Sequence, residues 1–508
     1  MSAKTIMIQG TGSHVGKSFI VAGLCRLFSD EGVSVAPFKS QNMALNSFAT
    51  EDGLEIGRAQ ATQALAAGIK PSVLFNPILL KPTSDRRAQV VVLGKPLADM
   101  DARAYHSRKT EMLTIVKDAL ETVCRQYELV IIEGAGSPAE INLVDRDIAN
   151  MAVARLADAP VILVADIDKG GAFAAIIGTL ELLPPIDRQR VAGFIINKFR
   201  GDMALLQPGL DWLEERTGLP VLGVVPKIDV MLEDEDSVGL ESRRPAKPAW
   251  LRLAVPWFPR IANFTDLQPF ELVDGVRVDF VRSVGELGIP DAVIIPGTKN
   301  TLLDLAWLRR TGLADAVIRL ARSGVPIIGV CGGFQMLGRA ICDPTGVENS
   351  AGAEAGGLGL LPIATTLTGD KTVKQVEGAV VSGERILGGP AIGAGFCAYE
   401  IHAGVSIPAG PGEPFSRTTA GAEDGWVSAD LPVLGTYMHG LFDNPDLRRS
   451  FLEALAAKKG LVGPLLDGDD FDSRIRKLSE ALGRSLELNE LRRVIGLKVP
   501  ETEDAGVR

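Results

Sequence analysis

Histidine, tyrosine and cysteine are scarce in this chain: 508 residues include four, four and five of them. The five cysteines are scattered and none forms a C-x-x-C pair, which argues against a disulfide framework or a structural zinc site and for a reducing, cytoplasmic setting. There is no excess of positive charge. Lys and Arg number 53 against 63 Asp and Glu, a net charge of −10, which argues against a general binder of nucleic acid or anionic membrane. It does not argue against a locally basic pocket for a small anion. No apolar run is long enough to span a bilayer, and Lys4-Thr5-Ile6-Met7-Ile8 begins a strand-like pattern with no leader-like segment before it. The sequence sets no oligomeric state.

What is present is enough for more than one core: 46% of residues are apolar and 23% charged. Short apolar runs at Thr5–Gln9, 128–133, 160–166, 191–197 and 220–226 end at polar or turn residues. Between the first two lies a helical-period stretch, Phe19–Ser29, with Phe19, Leu24, Leu27 and Phe28 on one side. This alternation predicts an α/β domain with a mostly parallel sheet, whose ligands sit at the carboxyl ends of the strands. A charged, proline-bearing stretch follows, from Glu233-Asp234-Glu235-Asp236 to Pro248, and reads as a linker. Strand patterns resume at Leu251–Pro256, 291–296, 325–330 and 434–438, giving a second α/β domain. The Gly-rich segment from Asp343 to Gly425 shows no clear pattern, and residues after Asp446 read as helices capping the second domain. The expected division is residues 1–232, a linker at 233–250, 251–448, and a helical extension at 449–508.

Gly10-Thr11-Gly12-Ser13-His14-Val15-Gly16-Lys17-Ser18 joins the first strand to the first helix, the setting of a phosphate loop. Five residues, not four, separate Gly10 from Gly16-Lys17, so this is a variant of the strict pattern. Gly12 and Gly16 would shape the cradle, Lys17 would reach the terminal phosphates of ATP, and Ser18 would offer its hydroxyl to Mg²⁺. Glu133 ends a strand and reads either as a second Mg²⁺ ligand or as a turn acid. Glu140, Asn142, Asp145, Asp147, Asp52 and Glu55 are further polar candidates for the metal, each more readily a solvated or capping residue. Asn197 and Lys198, at a later strand end, are candidates for the adenine.

In the second half, the apolar strand 325–330 delivers Cys331-Gly332-Gly333 to a helix starting at Phe334. This Gly-x-Cys-x-Gly elbow exposes a thiol as Gly-x-Ser-x-Gly exposes a hydroxyl, and a helix N-terminus lowers a thiol's pKa. Backbone N–H groups near Gly332 and Gly297 would form an oxyanion hole. A thiol nucleophile needs a base, and His439 follows the strand 434–438. His402 reads either as a substrate contact or as a satisfied core histidine. Cys25, Cys124, Cys342 and Cys397 have no such setting and read as structural.

The elbow resembles that of the class I glutamine amidotransferases, and the N-terminal half resembles the dethiobiotin-synthetase-like ATPases. Longer strings are similar to the cobyric acid synthase family of cobalamin biosynthesis: Pro37 to Ser47, Glu133 to Leu143 continuing to Met151, Asn263-Phe264-Thr265-Asp266, Tyr399-Glu400-Ile401-His402, and Gly435 to Phe442. This resemblance covers Thr5 to Phe442. It implies an N-terminal P-loop-type ATPase domain and a C-terminal glutamine amidotransferase-like domain. It also implies glutamine and a corrinoid as substrates, and ATP-dependent amidation of the b, d, e and g carboxylates of adenosylcobyrinic acid a,c-diamide. Amidotransferases usually carry a Glu two residues after the His; Leu441 stands there, so the group that orients His439 is not named by the motif.

Overall fold

The computed structural model describes residues 3–84, 86–232, 249–461 and 468–499. The expected linker at 233–250 therefore lies almost wholly outside the described residues. The first sheet has six parallel strands in the order Val221–Pro226, Val191–Phe199, Val161–Asp166, Lys4–Gly10, Leu129–Glu133 and Val35–Phe38. The middle strands are apolar on both faces because helices cover both, as an all-parallel sheet requires. Their carboxyl ends carry Gly10, Glu133, Asp166 and Asn197 to one edge.

The second domain holds a seven-stranded sheet. Five of its strands are parallel, in the order Val276–Val281, Leu251–Pro256, Ala292–Ile295, Ile327–Val330 and Val433–Thr436. Ala292–Ile295, Ile327–Val330 and Val433–Thr436 are neighbours, so Gly297, Cys331 and His439 emerge side by side at their carboxyl ends. The Gly-rich segment, which showed no clear sequence pattern, forms part of a third sheet built on two long antiparallel strands, Ile363–Val380 and Gly395–Pro408. These strands alternate buried and exposed positions over only part of their length, and their Thr, Gly and Ala residues carry little apolar signal.

One expectation is corrected. Of the helices near the C-terminus, Pro445–Lys458 packs on the second domain, with Leu447, Phe451 and Leu452 buried beside Leu251 and Leu253. Phe471–Ser485 and Leu488–Ile495 pack instead on the first. Ile475, Leu478, Leu482, Leu491 and Ile495 share a core with Ile6, Ile8, Ile20 and Leu24. The helix Lys17–Asp30 exposes an apolar face beyond its own sheet, and Gly23 lets the late helix approach: a Cβ there would lie 2.4 Å from Leu482 Cδ1. Leu478→Ala should therefore destabilise the nucleotide-binding half by about 2–5 kcal/mol. Denaturant unfolding followed through that half checks this; a loss confined to the second domain's transition would contradict the packing.

Candidate active sites

At the first site, Gly16 adopts φ 100° and caps the helix Lys17–Asp30. Any Cβ there would lie 2.2 Å from the Asn197 amide nitrogen, so the position needs glycine for both conformation and space. Asn197 donates to the Val15 carbonyl at 2.8 Å and accepts from the Lys198 backbone N–H at 2.9 Å. It thus fastens the loop from a neighbouring strand while also lining the cavity. Lys198 binds the His14 carbonyl at 2.6 Å and Asp166 at 2.8 Å. Lys17 donates to the carbonyls of Gly12 and Gly136, 3.0 Å each, and so bridges the loop to the turn after Glu133.

Ser18 and Glu133 meet directly: the hydroxyl donates to Glu133 Oε1 at 2.7 Å. Glu133 also accepts from Lys39 at 2.9 Å and from Gln63 at 2.6 Å. Burial opposes its charge, but the Lys39 ammonium and these hydrogen bonds hold its pKa below the ordinary value. A carboxylate kept ionised against a serine hydroxyl beside a glycine-built cradle suits a Mg²⁺-nucleotide. The sequence does not single out Lys39 or Gln63; Lys39 is present only within the string Pro37–Ser47 that carries the family resemblance.

The other acidic candidates separate. Asp147 accepts from the backbone N–H groups of Ala149, Asn150 and Ala152 at 2.7–2.8 Å and is a cap. Glu140, Asn142 and Asp145 are all exposed, and of the three Glu140 lines the cavity. Asp52 is an exposed turn residue bonded to Thr50. Glu55 is buried between Lys81 at 2.5 Å, Ser47 at 2.7 Å and Lys371 at 2.5 Å, and does not line the cavity. The cavity over the loop measures about 1280 Å³ and extends to Glu271, Val276, Arg277 and Val278 of the second domain.

At the second site, Cys331 has φ 53° and ψ −109°, a conformation that costs a non-glycine residue on the order of 1–3 kcal/mol. The flanking glycines permit it: a Cβ on Gly333 would lie 2.0 Å from the Ile295 carbonyl oxygen, and one on Gly329 2.8 Å from the Gly333 carbonyl carbon. Gly332 opens the following helix and lies against the Thr298 backbone nitrogen, 3.2 Å from its would-be Cβ. A Cβ on Gly297 would sit 3.1 Å from His439 Cε1 and 3.8 Å from Cys331 Cβ. The four expected residues Cys331, His439, Gly297 and Gly332 are thus together.

The residue that the sequence did not name is Asp266. Its Oδ2 lies 2.7 Å from His439 Nδ1, and its Oδ1 accepts the Gly440 N–H at 2.8 Å. It belongs to the quoted string 263–266, but 173 residues of chain hide the pairing. The Tyr399 ring stacks on the imidazole at 5.4 Å. His439 is 1% exposed. Burial disfavours the charged ring, but the Asp266 carboxylate and negative charge on the Cys331 sulfur outweigh it and raise the pKa to about 10. His402 is satisfied by Glu400 at 3.0 Å and the Gly404 carbonyl at 3.1 Å, and stacks on Tyr437 at 3.8 Å, the core-histidine alternative. Gln335 adds a polar floor, bonded to Thr301 at 2.9 Å and to the Ala403 carbonyl at 3.1 Å. Of the remaining cysteines, Cys25 is buried and Cys397 exposed.

A nucleotide-binding parallel-sheet domain followed by a Cys-His amidotransferase domain is the class that this fold and these sites define. Family models agree: residues 6–237 match the CobQ/CobB/MinD/ParA nucleotide binding domain and residues 252–447 the CobB/CobQ-like glutamine amidotransferase domain. The cobyric acid synthase of Sorangium cellulosum is 51% identical, with 98% of this chain and 99% of that protein covered. That of Pelotomaculum thermopropionicum is 47% identical over 99% of both, and that of Yersinia enterocolitica 51% over 90% of both. The chain belongs to the cobyric acid synthase family. Among solved structures, PurLQS from Thermotoga maritima is 19% identical, covers 40% of this chain and 99% of its own, and has a TM-score of 0.33. At that score the likeness adds nothing to the assignment. Among the described residues no helix is long and apolar enough to cross a membrane.

Only four histidines need resolving, so the His439 titration is measurable by NMR. Its raised pKa means that its stabilising contribution is complete below about pH 6.5 and lost as pH rises through about 10. Asp266→Asn should move the midpoint down, because the largest charge that opposes the burial penalty is then lost. A midpoint unmoved by this change would remove Asp266 as the orienting group.

Proposed function

We propose that this chain is a glutamine-hydrolysing ligase that uses ATP to amidate carboxylates of a corrinoid, the b, d, e and g positions of adenosylcobyrinic acid a,c-diamide. The observation that carries this reading is the pairing, in one chain, of a glycine-built phosphate cradle with a strained thiol beside a carboxylate-oriented imidazole. The Cys331 sulfur attacks the glutamine carboxamide carbon with its proton already held by His439, whose raised pKa keeps the ring protonated at neutral pH, and His439 delivers that proton to the departing ammonia. N–H groups around Gly297 and Gly332 receive the developing oxyanion. Water then releases glutamate from the thioester.

At the first site, Lys17 leaves its carbonyl partners for the phosphates, and Ser18 with Glu133 would hold Mg²⁺, which would supply positive charge to the phosphates. A corrin carboxylate attacks the γ-phosphate and expels ADP; ammonia displaces phosphate from the resulting acyl phosphate. Arg146, Lys198, Lys227 and Arg277 around the cavity suit a polycarboxylate, and Val276, Val278 and Leu232 suit an apolar macrocycle. The domain division that goes with this is 1–232 and 251–448, with the last two helices assigned to the nucleotide-binding half.

Cys331→Ala should abolish glutamine-dependent amidation and leave amidation with ammonium intact, whereas Lys17→Ala should lose both by a hundredfold or more, on the scale of removed transition-state contacts. Mass spectrometry of the adenosylated a,c-diamide incubated with Mg-ATP and glutamine is the direct check. Successive conversion of four acids to amides, one acid remaining, supports the reading. Amidation of cobyrinic acid alone would move it to a,c-diamide synthesis.

A further inference from the structure

His439 is supported from two sides, and both supports are touched by one segment of the other domain. That segment comprises the hairpin Ser47–Ala49 and Glu55–Gly57 and the start of the helix Arg58–Ala66. On one side, the Ser47 N–H donates to the Asn263 side-chain oxygen at 2.9 Å. Asn263 is held at φ 51°, and its carbonyl accepts the Asp266 N–H at 3.1 Å, so it fixes the turn that presents Asp266 to the imidazole. On the other side, the Phe48 ring packs on Tyr399 at 5.1 Å, and Tyr399 stacks on His439. The Arg58 guanidinium covers both rings, 5.1 Å from Phe48 and 5.8 Å from Tyr399, and lies 3.9 Å from Asp443, four residues past His439. Backbone and ionic contacts keep the segment in register: Gln375 donates to the Ala49 carbonyl at 3.0 Å, and Lys371 pairs with Glu55.

We propose that Phe48 and Arg58 of the nucleotide-binding domain are positioning residues for glutamine hydrolysis, holding the Tyr399–His439 stack so that the imidazole meets the Cys331 thiol. The contacts are spread over a ring, a guanidinium and a backbone N–H, and they converge on one side chain. A domain interface that served cohesion alone would have no reason to place all three against the supports of the same imidazole. The amidotransferase domain is then incomplete as a glutaminase without its neighbour. This inference rests on the assignment of Cys331 and His439 to glutamine hydrolysis.

The test uses the full-length protein with native, C331A, F48A, F48Y and R58M forms. Glutamine hydrolysis, amidation with ammonium, and the rate at which iodoacetamide alkylates Cys331 are measured at one pH. In F48A and R58M, kcat for glutamine should fall about tenfold with KM for glutamine within twofold of native, and alkylation should slow. F48Y, which keeps the ring, should stay within twofold in every measurement, and ammonium-driven amidation should stay within twofold in all three. Glutamine turnover within twofold of native in both F48A and R58M would overturn the proposal. So would a parallel loss of glutamine and ammonium activities in both, which marks a general folding defect. If the native protein hydrolyses no glutamine, or C331A hydrolyses it as well as native, the underlying assignment fails instead, and the two failures are told apart.

Discussion

A buried imidazole can keep a charge only if an anion is brought to it, and here the anion arrives from 173 residues upstream. Most of the second domain's architecture follows from that one contact. Three adjacent parallel strands place Gly297, Cys331 and His439 in a row, but parallel strands alone would leave the ring free to turn. Asp266 takes Nδ1 with one oxygen and the Gly440 N–H with the other, so it fixes the ring and the backbone that carries it. The remaining nitrogen, Nε2, is then directed away from Asp266 and towards the thiol side. A Glu two residues after the His, the usual arrangement, would be tied to the same strand end. An Asp on the turn 263–266 is tied to a different part of the sheet and, through Asn263, to the other domain.

The two sites are joined by little chain. The helix Arg58–Ala66 has nine residues; Arg58 at its start covers Tyr399 beside the imidazole, and Gln63 further on binds Glu133 beside the phosphate loop. Five residues of helix rise about 7.5 Å. The helix is buried on nearly all sides although its sequence, Arg58-Ala59-Gln60-Ala61-Thr62-Gln63-Ala64-Leu65-Ala66, is polar or small except for Leu65, which faces outward. Small residues let it sit close to its neighbours, and its amides are used for contacts: Gln60 accepts from Asn42, and Gln63 donates to Glu133.

Strands with apolar faces on both sides were legible as runs, and the two loops that follow them were legible as chemistry, because each motif is local. Gly16-Lys17-Ser18 and Gly329 to Gly333 each carry their own geometry in consecutive residues. Contacts between distant segments were not legible. Asp266 is visible only as part of a string, Lys39 and Gln63 not as partners of Glu133, and nothing in the sequence shows that Phe471–Ser485 and Leu488–Ile495 return to the first domain. An amphipathic helix with Ile475, Leu478 and Leu482 on one face shows that it needs an apolar surface, but not which of two. Glu55 failed for a similar reason: as an isolated acid it looked like a metal candidate, and only tertiary structure shows two lysines around it.

That Glu55 cluster also bears on how firmly the domains are set against each other. One buried carboxylate faces Lys81 from its own domain and Lys371 from the other, with Lys299 close enough to add a third positive charge to the field. Burial pushes Lys81 down, Glu55 pulls it up, Lys371 and Lys299 push it down again, and its pKa settles at about 8. Glu55 is held ionised by the two lysines against the cost of burial. Desolvation of such a group consumes most of what the attraction returns, so the cluster adds little net stability compared with an apolar contact. What it does add is selectivity. Any shift of one domain over the other would strand a charge, at a cost of about 3–5 kcal/mol when one partner of a buried pair is lost. Apolar surfaces can slide with small losses; this arrangement cannot. It lies on the same hairpin that presses Phe48 against Tyr399. The rigid placement that the imidazole requires is therefore set by an ion cluster whose energetic justification is position rather than strength.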